Sequence, residues 1–198
     1  MKRICSLTII TALFFFSGCG YNRLQGLDEE VKASFGEVDN QYVRRNELIP
    51  NLVQTVKGYA KHESETLEAV IKARQGTMAN DGTDSRLAVK DFSDPAQFKK
   101  YQEAQQGLSS ALSRLMVVVE KYPDLKANEN FRDLQAQLEG TENRIAVARK
   151  RYIDKVAEYN TMVRSFPTNL TANYLLHLKT RETFTATEAQ KTAPEVKF

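Results

Sequence analysis

Three long segments of this chain carry apolar residues at intervals of three and four, and this spacing most strongly limits what the chain can fold into. The segments cover residues 24–74, 98–122 and 131–166. Side chains three or four positions apart lie on one face of an α-helix, so each segment predicts an amphipathic helix with one buried stripe. Near-heptad spacing in consecutive segments predicts helices that lie side by side in a left-handed bundle. The predicted fold class is therefore all-α, an elongated antiparallel bundle of three long helices.

Composition supports this prediction. The chain has 9 Gly, 5 Pro and no Trp among its 198 residues, and straight-chain residues, which lose little rotamer freedom in a helix, are plentiful. Most stripe positions are apolar, although Arg45 falls on the first stripe, Gln105 on the second and Thr141 on the third.

Turn-forming residues separate the predicted helices. Gly76 and residues 79–85, which read ANDGTDS, end the first helix. Asp94-Pro95 provides an N-cap and a first-turn proline for the second helix, and Pro123 ends it. Pro167 ends the third helix.

Pro50 lies inside the first segment, and the apolar spacing passes it without a change of phase. Proline removes one backbone hydrogen bond and clashes with the carbonyl four residues earlier. We therefore predict one helix kinked at Pro50, with two separate helices as the alternative. After Pro167, apolar residues predict a short C-terminal helix; they are Leu170, Tyr174, Leu175 and Leu178.

The N-terminus resembles a bacterial lipoprotein signal. Lys2 and Arg3 precede a mostly apolar run of 13 residues, 4–16, which is shorter than the roughly 20 residues of a membrane span. Small residues then precede Cys19, as in a lipobox. We predict a signal peptide over 1–18 and fatty acylation, including palmitate, on Cys19. An uncleaved signal anchor and an ordinary secreted protein are the alternatives.

Lipid on Cys19 would bind the protein to a membrane, because buried acyl chains contribute about 0.8 kcal/mol per CH₂. Gly20 follows the cysteine, and the absence of Asp there favours an outer-membrane protein that faces the periplasm. The inner membrane or the cell surface remain possible. The predicted units are the signal peptide, a helical domain over 19–185 and a flexible tail over 186–198.

The sequence gives little support to an enzyme. His62-Glu63 lacks the second histidine four residues later that a zinc-protease helix carries, and His177 is distant in the chain. No catalytic set, metal, cofactor or small-molecule substrate is predicted. A metal-dependent or other hydrolase of the cell envelope is kept as an alternative.

Charge also limits the choice of partner. The formal net charge of +3 is too small to predict nucleic acid binding. Basic runs at residues 44–45 and 149–151 leave direct binding to membrane lipid as a further alternative, although surface ion pairs are the favoured explanation for them.

Two long motifs are similar to those of the LemA family. Residues 44–63 read RRNELIPNLVQTVKGYAKHE, and residues 122–160 read YPDLKANENFRDLQAQLEGTENRIAVARKRYIDKVAEYN. FPTNL follows at 166–170, but the family's F-G-F-like stretch is replaced by residues 174–178. The resemblance covers about residues 21–184.

This resemblance implies a membrane-anchored helical bundle outside the cytoplasm, without established enzymatic activity. A magnetosome-membrane member of the family suggests a role in organisation at membranes. We therefore expect a non-enzymatic scaffold or protein-interaction module that binds a protein partner or a second copy of itself. The motif residues whose types a core does not require are candidates for the interaction surface: Arg44, Arg45, Asn46, Glu47 and Asn51.

Overall fold

The computed structural model describes residues 2–78 and 92–185, with side chains from Gly20 onward. The helices, in chain order, are α1 (Lys2–Tyr59), α2 (Ser64–Gly76), α3 (Pro95–Val119), α4 (Pro123–Ala127), α5 (Glu129–Arg164) and α6 (Thr168–Leu170), followed by a π-helical turn (Thr171–Leu175). The predicted all-α bundle is confirmed. The side chain of Cys19, the turn-rich residues 79–85 and the predicted tail 186–198 lie outside the described residues.

The first predicted helix is in fact two helices. α1 passes through Pro50 without interruption and ends at Tyr59, and the turn Ala60–Glu63 reverses the chain into α2. The reversal brings Leu67 of α2 into the same core as Val56 of α1. The prediction of one helix to residue 74 was wrong because a four-residue turn is about one helical turn long, and the spacing therefore stays in phase across it.

α1 and α5 form an antiparallel pair along the whole bundle. In the first half of α1, Arg23 forms an ion pair with Glu158 near the end of α5. Near its end, the Asn128 amide donates to the Tyr59 hydroxyl at 2.9 Å. α3 runs parallel to α1, because Tyr101 of α3 contacts Asp39 of α1 and, further along both helices, Ser109 contacts Arg45. α2 runs back against α3. Along the bundle axis, α1 and α3 therefore run in one direction, and α2 and α5 run in the opposite direction.

The core has two parts along the bundle axis. We call the end of the bundle near Gly20 of α1 the proximal end, and the end with α4 and the turn at 60–63 the distal end. Helices α1, α3 and α5 contribute to both parts, whereas α2 and α4 contribute only to the distal one. The main side chains of the proximal part are Leu27, Phe35, Tyr101, Tyr152, Tyr159 and Phe184, and those of the distal part are Leu52, Val56, Val70, Leu108, Leu115 and Phe131.

Residues 176–185, which we call the strap, take the place of α2 in the proximal half. They run back along α5 without regular secondary structure, and Phe184 is buried in the proximal core. The Tyr152 hydroxyl donates to the Glu182 carbonyl at 2.8 Å, and the Glu182 amide donates to the Phe92 carbonyl at 2.8 Å. The strap therefore closes a half of the bundle that α2 is too short to cover.

Candidate functional site

The five predicted surface residues do not share one surface. Arg44, Glu47 and Asn51 are exposed on α1, whereas Arg45 and Asn46 are 1% and 7% exposed. The prediction was therefore wrong for Arg45 and Asn46. Three-four spacing already put Arg45 on the buried stripe, and its charge alone suggested a surface position.

Arg45 lies between α1, α3 and α5. Its guanidinium donates to the Gln105 side-chain oxygen at 2.6 Å, to the Ser109 hydroxyl at 2.8 Å and to Glu142 at 3.0 Å. It also lies 4.8 Å from the centre of the Tyr42 ring. A buried guanidinium requires such partners, because an unpaired buried charge is strongly unfavourable. Arg45 therefore joins three helices at the middle of the bundle.

One nitrogen of the Arg45 guanidinium takes no part in these hydrogen bonds. Its Nε has no hydrogen-bond partner among the described residues, and a cavity of about 30 Å³ adjoins Arg45, Gln105 and Glu142. A cavity of this size holds about one water molecule, and its polar lining suits one. This centre is a structural polar cluster rather than a ligand site.

Asn46 connects α1 to the end of α2. Its side-chain amide donates to the Thr77 hydroxyl at 3.0 Å, and its backbone carbonyl accepts from Arg74 Nε at 3.2 Å. That carbonyl is free because Pro50, four residues later, has no N–H to donate to it. Pro50 therefore leaves the Asn46 carbonyl available to accept the bond from Arg74, which holds α2 against α1.

Two of the exposed motif residues adjoin a polar groove between α1 and α5: Asn51 lines it, and Arg44 contacts its lining residue Gln137. Arg44 contacts both Glu47 and Gln137 at 3.4 Å, and contacts this long between exposed groups contribute little to stability. The groove has a volume of about 400 Å³; its lining is Asn51, Gln54, Thr55, Asn130, Asp133, Leu134 and Gln137. We call Arg44, Glu47 and Asn51 the α1 face.

A second groove lies between α3 and α5, on another side of Arg45. Its volume is about 470 Å³, and Leu112, Met116 and Leu138 form its apolar floor. Ser113 and Glu139 are among its polar walls. Both grooves are shallow and open, as expected between the ridges of packed helices.

The two histidines lie at different ends of the bundle. His62 is in the distal turn, whereas His177 is in the strap, which binds Asp28 near the proximal end. The α1 residues between Asp28 and Ala60 span about 50 Å at 1.5 Å each. Within the described residues, no group of three or more His, Cys, Asp or Glu side chains is arranged to hold a metal ion.

At the proximal end, close packing fixes the position of Gly20, the residue that follows Cys19. Gly20 packs against Thr168 of α6, and a Cβ atom at Gly20 would lie only 2.8 Å from the Thr168 Cγ2 methyl. Glycine is therefore required here for close approach, independently of any role in sorting. In the part of the chain that the structure describes, no helix is long and apolar enough to cross a membrane.

A buried ion pair fixes the strap to α1. Arg181 contacts Asp28 at 2.7 Å, and Lys32 contacts the other Asp28 oxygen at 2.9 Å. Burial by itself raises the pKa of Asp28, but the hydrogen bonds from Lys32 and Arg181 outweigh burial and lower that pKa below its usual value. Asn160 of α5 donates to the Arg181 carbonyl at 2.9 Å and accepts from its amide at 2.8 Å.

Sequence reasoning missed this ion pair, and no local signal could have found it, because Asp28 and Arg181 lie at opposite ends of the domain sequence. It also missed the Arg45–Gln105 contact. Here a signal was available, since each is a polar residue on an otherwise apolar stripe.

The sequence profile of the LemA family matches residues 34–198. The chain belongs to the LemA family. Magnetosome protein MamQ 2 of Paramagnetospirillum magneticum is 26% identical over 163 residues, which cover 77% of this chain and 60% of that protein. Magnetosome protein MamQ of Magnetospirillum gryphiswaldense is 25% identical over 158 residues, or 74% of this chain and 58% of that protein. This LemA family chain thus spans about three fifths of the length of the curated relatives it matches.

Proposed function

We propose that this LemA family protein is a lipid-anchored, non-enzymatic interaction module of the bacterial cell envelope. Lipid on Cys19 would hold it on the outer membrane, with the bundle in the periplasm. The observation that carries the proposal is the continuity of α1, which extends from the anchor segment to Tyr59 without a break. A single rigid helix therefore connects the anchoring residue to the whole bundle.

This continuity sets the distance between the anchor and the α1 face. Cys19 and Glu47 lie on the same helix, so they are about 40 Å apart at 1.5 Å per residue. A partner on the α1 face would therefore contact the protein well outside the lipid headgroups. The family relatives support a role of this kind, because they are magnetosome proteins.

The anchor is tested by Cys19→Ala in cells supplied with an alkyne-bearing fatty acid. We expect the variant to lose both acyl labelling and retention in the membrane fraction, since the thiolate that accepts the lipid is gone. Retention without labelling would contradict the lipid anchor and indicate an uncleaved signal helix.

The interaction surface is tested by placing a photo-crosslinking amino acid at Glu47 or Asn51 in growing cells. Lys72, which is exposed on α2, is the matched control position. We expect a discrete adduct, with a partner protein or with a second copy, from positions 47 and 51 but not from 72. We also expect Arg44→Ala to abolish the adduct.

Two outcomes would contradict the proposed surface. One is equal crosslinking from all three positions, which would indicate nonspecific collisions. The other is an adduct that survives Arg44→Ala in a protein whose unfolding curve is unchanged.

A further inference from the structure

Four large apolar side chains are exposed together at the proximal end. Phe166 is 81% exposed, Leu170 49%, Tyr174 79% and Leu175 67%. We call these residues the proximal patch. Scattered exposed apolar residues are normal on a protein surface, but a cluster of them within one short segment indicates an interaction site.

The patch is one side of an ordered segment. Leu170, Tyr174 and Leu175 are exposed, whereas Ala172, which lies between them in the chain, is fully buried in the proximal core. The Thr168 hydroxyl contacts the carbonyls of Met162 and Ser165 at 2.7 and 2.8 Å. The apolar side chains are therefore held outward by a segment that is fixed to the core.

The position of the segment that carries the proximal patch indicates that the patch faces a bilayer. Thr168 lies directly against Gly20, the residue that follows Cys19. The mostly apolar run 4–16 precedes this point in the chain, so both a lipidated Cys19 and an uncleaved signal helix would bring a bilayer to this end. The patch thus lies at the one end of the bundle from which the chain leaves toward the membrane.

We propose that the proximal patch inserts into the interfacial region of the bilayer beside the anchor. This inference rests on the proposed membrane anchoring and adds a second membrane contact to it. Tyr174 has the amphipathic character of side chains that favour the headgroup level, and exposed Arg164 and Lys179 flank the patch, where they can contact lipid phosphates. Two membrane contacts, rather than the lipid anchor alone, would fix the orientation of the bundle relative to the membrane.

The chain contains no Trp, which permits a single-fluorophore test. Full-length lipidated protein carrying Tyr174→Trp is reconstituted into vesicles of phosphatidylethanolamine and phosphatidylglycerol with brominated acyl chains. We expect the indole emission to shift to shorter wavelength and to lose intensity through bromine quenching. Val117→Trp, at an exposed position in the distal half of α3, is the control and should show neither change. Leu175→Trp provides an independent second probe of the patch.

The outcomes separate this inference from the proposed function. Protein that floats with the vesicles but has an unquenched indole at position 174 or 175 would overturn the inference and leave the anchor intact. Protein that does not float with the vesicles would overturn the anchor, and the inference with it. A blue-shifted indole without vesicles would overturn the inference, because protein would then cover the patch: a second copy if the shift depends on concentration, or residues 186–198 if it does not.

Discussion

Replacement of Arg45 separates the two roles that a charged residue in this motif could have. If Arg45 stabilises the bundle from inside, Arg45→Ala must lower the free energy of unfolding. Arg45→Met, which keeps a long aliphatic side chain of similar length, must lower it by less. Glu142→Gln must lower it least, because 44% of the Glu142 side chain is exposed and water can replace the lost partner.

The magnitudes follow from the contacts. Without the guanidinium, the buried Gln105 oxygen loses its partner, and an unsatisfied buried acceptor costs about 1–3 kcal/mol. Loss of the Cγ and Cδ methylenes of Arg45 adds about 1.6 kcal/mol at about 0.8 kcal/mol each. Arg45→Ala should therefore cost about 3–5 kcal/mol, Arg45→Met about 1–3 kcal/mol and Glu142→Gln less than about 1 kcal/mol.

The assay is urea unfolding of the purified proteins in detergent, monitored by far-ultraviolet circular dichroism. Arg45→Met combined with Gln105→Leu should recover most of the lost stability, because the pair of polar groups is then replaced by apolar ones. The reasoning is refuted if Arg45→Ala unfolds at the same urea concentration as the unchanged protein. It is also refuted if Glu142→Gln costs as much as Arg45→Ala, because the ion pair would then dominate the buried hydrogen bonds.

Three further predictions concern the proximal half. Gly20→Ala should lower the melting temperature by overpacking against Thr168, at a cost of about 1–3 kcal/mol; Thr168→Ser, which removes only the opposing methyl, should restore it. His177 has a φ of 49°, so His177→Gly should raise the free energy of unfolding by about 1 kcal/mol, and a decrease would show that its side chain matters more than its backbone. Since the pKa of Asp28 is lowered on folding, its contribution is complete above the ordinary value near 3.8 and is lost as the pH falls further. The stability advantage over Asp28→Asn in a pH series of unfolding curves should therefore narrow below about pH 4, whereas a constant gap would contradict the ion pair with Arg181.

Helical periodicity predicted the parts of the fold that one helix face determines. It identified α3 and α5 with their buried stripes, because amphipathic spacing reports directly which side of a helix faces the core. It was wrong about Phe166, which has the correct spacing but lies beyond the end of α5 at Arg164 and is exposed. Spacing alone does not show where a helix stops.

The features that spacing could not predict depend on contacts between distant segments. The reversal at residues 60–63 keeps the apolar phase, so only the packing of α2 against α3 reveals it. The strap has no periodic pattern because it has no regular secondary structure, and its position depends on Asp28, more than 150 residues earlier in the chain. Two of the five candidate surface residues, Arg45 and Asn46, are buried, because residue type was used in the prediction where helix phase should have decided.

Helix phase also decides how variants in the motif must be interpreted. Arg44 and Arg45 are adjacent in sequence, yet one is exposed on the α1 face and the other is a buried connection between three helices. A loss of partner binding in Arg45→Ala would accompany a loss of stability and would therefore not identify a contact. Arg44→Ala removes a similar charge at a position whose contacts at 3.4 Å contribute little to folding. Only loss of binding with an unchanged unfolding curve, which Arg44→Ala can give and Arg45→Ala cannot, would assign this motif a partner.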